Sequence, residues 1–181
     1  AGELHVRPNE RVVFQLPNCT EFVEAFIACS RIGAIPVMLL PRHRKAEADH
    51  AVELTDARVY LTDAGRYPGK FDFVDLANRV KETAQPLDHV VVLTDEGADA
   101  PEDCVAFDGL RDPTWTDKHG DEVSQTDVDP AEPGVFLLSG GTTGLPKAIP
   151  RTHNDYVCQW KYMTEVSNID HTWVAFPSVP I

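Results

Sequence analysis

Between Arg11 and Leu93 the chain alternates short apolar runs with stretches whose apolar residues recur at helical spacing, and this rhythm restricts the fold more than any other feature. Arg11 to Gln15, Ile35 to Leu40, Val59 to Thr62 and His89 to Leu93 read as strands rich in β-branched residues. The first helix is expected to begin at Asn18, with Glu21 three residues on as a capping box. Phe22, Val23, Phe26, Ile27 and Ile32 form its apolar stripe, and Gly33 stops it. A second helix is expected from about Lys45 to Asp56, and a third from Asp72, with Phe73, Leu76, Val80 and Ala84 on one face. Strand and helix in alternation predict an α/β fold of mostly parallel sheet layers covered by helices, with right-handed crossovers.

One short turn carries the chemistry. Ser139-Gly140-Gly141-Thr142-Thr143-Gly144-Leu145-Pro146-Lys147 brings glycines, hydroxyls and a lysine together. Glycines let backbone N–H groups approach an anion, hydroxyls add neutral donors, and lysine supplies a point charge. The stretch departs from the nucleotide loop G-x-x-x-x-G-K-[ST], because Pro146 precedes Lys147 and Ala148 follows it. Its flanks differ too. Val135 to Leu138 reads as a buried strand, and Pro150 keeps Ala148 to Thr152 extended, so a mobile loop between two strands is expected instead of a strand–loop–helix unit. Beyond it, Asn154 or Asp155 would cap a helix whose Tyr156, Trp160 and Met163 are expected to pack in the core, and Val174-Ala175-Phe176 reads as one more strand.

These readings divide the chain into a first α/β lobe over 1–95, an acidic connecting segment over 96–133 and a truncated lobe over 134–181 that carries the loop. The formal charge of −13 is concentrated between Asp95 and Glu132, where Arg111 and Lys118 are the only lysine or arginine side chains. Such a run reads as a solvated connection. The acidic balance argues against a nucleic-acid partner, which requires a basic face. Lys147, Arg151 and Lys161 form a local basic excess sufficient for one nucleoside triphosphate. Cys19, Cys29, Cys104 and Cys158 stand at no metal-like spacing and no apolar run is long enough to span a membrane, so a reduced, cytoplasmic and soluble setting is expected. Cys29 and Cys158 are expected as buried small hydrophobes in helices. His43 and His153 read as polar residues at element ends.

The stretch from Ser139 to Lys147 resembles the phosphate-loop motif of the adenylate-forming superfamily of acyl- and aryl-AMP ligases. Ile149-Pro150-Arg151-Thr152-His153-Asn154-Asp155-Tyr156, with glycine at Gly140, is similar to the branch that activates aryl acids such as 2,3-dihydroxybenzoate or salicylate. Arg11 to Asn18 and Arg31 to Val37 resemble the same branch, while the likeness is weakest between about Glu96 and Pro133.

The resemblance implies an enzyme that uses ATP and Mg²⁺ to convert an aryl carboxylic acid to an acyl-adenylate. The acyl group would then pass to the pantetheine arm of a carrier protein or to coenzyme A, as in siderophore or related secondary-metabolite biosynthesis. Another acyl-CoA synthetase, an amino-acid adenylation domain and a non-catalytic nucleotide-binding module are the alternatives. By the same resemblance Ser139, Gly140, Gly141, Thr142, Thr143 and Gly144 would hold the β- and γ-phosphates, and Lys147 would be the catalytic cation that offsets their charge. No metal ligand is assigned. At 181 residues the chain is expected to be part of the large N-terminal domain of such an enzyme. The acid pocket, the adenine and ribose clamps and a C-terminal catalytic lysine are expected after Ile181, leaving these residues inactive by themselves.

Overall fold

The computed structural model describes residues 2–65, 71–95, 97–139 and 144–174. Its strands form one seven-stranded sheet in the order β5-β4-β3-β1-β2-β6-β7. They are β1 (Arg11–Phe14), β2 (Ile35–Met38), β3 (Ala57–Asp63), β4 (His89–Leu93), β5 (Val105–Ala106), β6 (Pro133–Leu138) and β7 (Ala148–Thr152). Every neighbouring pair is parallel except β6 and β7. The helices are α1 (Thr20–Ile32), α2 (Lys45–Thr55), α3 (Phe73–Thr83), α4 (Thr114–Gln125) and α5 (His153–Val166).

Strand alternation explains the layers. Val13, Val37, Tyr60, Val90 and Val92 point to one face, where they pack against Ala48, Ala51 and Val52 of α2 and Leu76, Ala77 and Val80 of α3. Val12, Phe14, Val59, Leu61 and Val91 point to the other, against Phe22, Ala25 and Cys29 of α1 and Phe107. Because both faces are covered, the middles of the central strands are apolar, with Arg11 opening β1 and Arg58, Thr62 and Asp63 near the ends of β3.

The helix ends follow from local chemistry. Gly33 closes α1 in the left-handed conformation (φ 71°) and donates its N–H to the Cys29 carbonyl. Cys19, extended at φ −144° and ψ 168°, is the last residue before that helix, so Asn18 is not its cap. Asp72 caps α3 by accepting the Asp75 N–H at 2.9 Å. Arg11 ties the α2 exit to β1: its Nε donates to the Thr55 carbonyl, and its guanidinium lies 3.3 Å from the Asp56 carboxylate.

The acidic segment is more ordered than a connection. It contributes β5, a 3-10 turn (Phe107–Arg111) and α4, a helix with no buried residue. Arg111 clips the turn to α1 through Glu24 (2.7 Å) and Glu21 (3.6 Å) and pairs within the turn with Asp108 (2.9 Å), and those carboxylates raise its pKa. This placement was hidden by composition, since the partners that dock the segment, Glu21 and Glu24, lie far away in sequence on α1.

The strands flanking the loop do not start a sheet of their own. Phe136 and Leu137 of β6 pair with Val37 and Met38 of β2, which continues the sheet of residues 1–95. The expected core stripe on α5 is overturned: Trp160 is 59 % exposed, Met163 is 49 % exposed, and no residue of the helix is buried. Helical spacing reports which residues share a face and does not say whether that face is covered. Cys158 is exposed on the same helix, whereas Cys29 is buried and its thiol is pushed up to about 12 by burial. The strand expected at Val174-Ala175-Phe176 lies, from Ala175 onward, outside the described residues, and Val174 is in no strand.

Candidate active site

Residues 139–147 connect β6 to β7 as the head of an antiparallel hairpin, so the sequence pattern of strand, loop and strand is the observed one. β6 is a parallel strand beside β2, so the loop leaves the sheet at its carboxyl edge, where open α/β sheets bind ligands. Gly140, Gly141, Thr142 and Thr143 lie outside the described residues, and so does the conformation expected for them.

The described ends of the loop are fastened to each other. The Ser139 N–H donates to the Lys147 carbonyl, and the Lys147 N–H donates to Ser139 Oγ, both at 2.9 Å. Ser139 Oγ accepts in this pair, so its own O–H proton is left to donate elsewhere. Gly144 is exposed, Pro146 is buried, and Lys147 is exposed beside it. Among the described residues the Lys147 ammonium meets no carboxylate. A hydroxyl donor and an uncommitted lysine at one loop fit a phosphate group.

The second cation suggested by composition is committed. Arg151 on β7 pairs with Asp155 and donates to Gln159 Oε1 at 3.0 Å, and the Asp155 bond raises its pKa. Asp155 is drawn there by α5: Thr152 accepts its N–H at 3.1 Å, which makes Thr152 the cap in place of Asn154 or Asp155. His153 opens the helix with its ring over Gly134, so it serves packing at an element end.

Two features were not singled out from the sequence. His50 of α2 places Nε2 3.0 Å from the Pro146 carbonyl, and both residues line a cavity of about 500 Å³ beneath the loop with Leu54, Thr55, Phe136 and Lys147. Gln15, fully buried just beyond β1, accepts the Tyr60 hydroxyl at 2.7 Å and donates to the carbonyls of Leu40 (3.0 Å) and His43 (3.1 Å). His43 completes that cluster by accepting the Leu40 N–H at Nδ1 (3.1 Å), and its burial lowers its pKa. A glutamine ending an apolar strand and His43 at an element end are the sequence traces of the cluster, and His50 leaves none.

Among the described residues no group of three His, Cys, Asp or Glu side chains could hold a metal ion, and no helix is long and apolar enough to cross a membrane. All four cysteines are free thiols.

Residues 2–179 match the family described as AMP-binding enzyme. The chain is 35 % identical over 179 residues to the 2,3-dihydroxybenzoate-AMP ligase of Bacillus subtilis, covering 99 % of this chain and 30 % of that protein. It is 38 % identical over 163 residues to the salicyl-AMP ligase / salicyl-S-ArCP synthetase of Mycobacterium tuberculosis, covering 87 % and 26 %. The apo structure of Mycobacterium smegmatis MbtA superposes with a TM-score of 0.69 at 36 % identity, covering 92 % of this chain and 28 % of that one. The chain therefore spans less than a third of the length of these relatives. With the hairpin loop, the parallel sheet and these likenesses in agreement, the chain belongs to the AMP-binding enzymes, the adenylate-forming superfamily, on the branch of the aryl-acid ligases.

Proposed function

We propose that this chain supplies the triphosphate-gripping part of an enzyme that joins an aryl carboxylic acid, of the 2,3-dihydroxybenzoate or salicylate type, to AMP. The observation that carries the reading is the fastened loop at the carboxyl edge, with an uncommitted Lys147 beside Ser139. ATP would supply the electrophilic α-phosphorus and the pyrophosphate leaving group. Lys147 would offset the charge that grows on that leaving group, and the Ser139 hydroxyl would donate to a phosphate oxygen. Gly140, Gly141, Thr142, Thr143 and Gly144 would add backbone and hydroxyl donors that need no reorganisation during the reaction. Mg²⁺ would be held mainly by phosphate oxygens and water, as is usual for this ion.

The acyl acceptor would be a pantetheine thiol of a carrier protein or the thiol of coenzyme A. Relatives of both kinds exist: the Mycobacterium tuberculosis protein is a salicyl-S-ArCP synthetase, and a Streptomyces relative, 34 % identical over 176 residues, is a salicylyl-CoA synthase. A cytoplasmic setting with reduced thiols belongs to the same reading.

The test is ATP–pyrophosphate exchange by the complete gene product with 2,3-dihydroxybenzoate, salicylate, a fatty acid and an amino acid supplied in turn. Exchange that depends on an aryl acid supports the proposal. Exchange only with a fatty or amino acid overturns the substrate class, and none with any acid overturns the reaction. The 181 residues by themselves are expected to bind ATP and give exchange at background.

A further inference from the structure

We infer that His50 is a positioning residue for the phosphate loop, acting from α2 to set where Lys147 stands. The inference rests on the proposed role of that loop.

The argument starts from how the loop is held. The paired bonds between Ser139 and Lys147 close the hairpin upon itself, and they fix the two ends relative to each other only. They do not tie the hairpin to the helices, and among the described strands β7 stands at the end of the sheet order. The tie from His50 to the Pro146 carbonyl supplies what is missing. It joins the residue before Lys147 to a helix whose Ala48, Ala51 and Val52 are fully buried against the sheet. Pro146 is itself buried, its φ is locked by its ring, and its carbonyl is bonded, so the backbone that carries Lys147 leaves from a fixed point.

The chemistry of the pair is one-sided. A carbonyl oxygen only accepts, so His50 must carry its proton at Nε2. A residue with this task lowers the ordering cost of the loop before phosphate arrives, and phosphate affinity gains what loop mobility would have lost.

The test compares the 181-residue chain with His50→Phe, which keeps a ring and removes the donor, and His50→Gln, whose side-chain N–H₂ restores a donor at a similar reach. Two quantities are read: amide hydrogen exchange at Ser139 and Lys147 without nucleotide, and the Kd for ATP with Mg²⁺. His50→Phe is expected to speed exchange at those two amides and to weaken ATP about two- to tenfold, the range for one lost hydrogen bond. The amides of the β3–β4 ladder should be unchanged, and His50→Gln should recover both quantities. Unchanged exchange in His50→Phe overturns the inference, and so does faster exchange with unchanged ATP affinity, which would make the tie purely structural. Equal loss in His50→Gln overturns it as well, since packing and not the donor would then matter. If the unaltered chain binds no ATP while exchange responds as expected, the reading of the loop as a triphosphate site fails and the tie to Pro146 stands.

Discussion

Ser139 and Lys147 exchange backbone and side-chain hydrogen bonds across the base of the loop, each 2.9 Å long. One residue proposed to bind phosphate thereby holds the backbone of the other. The Ser139 oxygen faces the Lys147 N–H, and the proton on that same oxygen remains for a ligand. A single hydroxyl can serve both tasks because it accepts and donates at once.

This arrangement separates two substitutions. Lys147→Ala removes charge and leaves the hairpin closed, since both bonds use backbone atoms of residue 147. In the complete gene product kcat/KM for ATP should fall about ten- to a hundredfold, from the roughly 1.5–3 kcal/mol of a hydrogen bond to a charged group. Aryl-acid affinity should hold. Steady-state kinetics with each substrate varied decides it, and an unchanged ATP term would remove Lys147 from the site. Ser139→Ala should instead loosen the Lys147 amide before any nucleotide is added.

Gly134 and His153 form the second contact that a small change would disturb. A Cβ at residue 134 would stand 2.8 Å from two atoms of the His153 ring, closer than packed atoms approach. Gly134→Ala should therefore destabilise the chain by about 1–3 kcal/mol, the usual cost of overpacking. Adding His153→Ala should return most of the loss, because the two sites share one space. Urea unfolding of the two single variants and the double variant is the measurement. Additive losses would show that the ring does not oppose the new methyl group.

How much of this was legible in the sequence depends on what each pattern reports. His89 to Leu93 and Ala148 to Thr152 have the strand limits read from the residues, because a run of β-branched residues favours a strand and Pro150 keeps its neighbours extended. Gly33 ends α1 where expected, since a left-handed backbone position selects glycine. Burial was less legible. Trp160 and Met163 share a helical face, yet that face is exposed, and only tertiary contacts decide which face is covered. The tie between His50 and Pro146 spans 96 positions, and no local spacing records it. Arg151 shows the same limit for charge: its count as a phosphate cation was cancelled by Asp155, one helical turn away.

Gln15 is the polar residue whose loss should cost most. It is fully buried, and its amide serves the Tyr60 hydroxyl and two carbonyls together. Gln15→Leu would take one buried hydrogen bond from each of these groups, although the Leu40 carbonyl keeps the His43 N–H and the His43 carbonyl keeps Arg44 Nη1, and the loss should cost about 1–3 kcal/mol in all. Tyr60→Phe removes one donor and leaves Gln15 its two carbonyl partners, so its loss should be clearly smaller. Thermal or urea unfolding of both variants tests the order. A Gln15→Leu variant as stable as the parent would mean that water enters and satisfies the cluster.

His43 makes the stability of the same cluster depend on pH. Its burial lowers its pKa below the ordinary histidine value, against the opposing pull of Glu47, and its Nδ1 accepts the Leu40 N–H. Protonation at Nδ1 would replace that acceptor with a donor facing a donor. Between the lowered folded value and the ordinary value of about 6.5, the unfolded chain binds the proton and the folded chain does not. This contribution to stability is therefore complete above about pH 6.5 and is lost as pH falls through the folded value. The variant His43→Asn keeps an acceptor oxygen near the position of Nδ1 and cannot titrate. Urea unfolding at pH 7.5, 6.5 and 5.5 should show the parent losing more stability than His43→Asn over the lower interval, with the shared carboxylates cancelling in the comparison. Parallel losses in the two proteins would place the titrating group elsewhere.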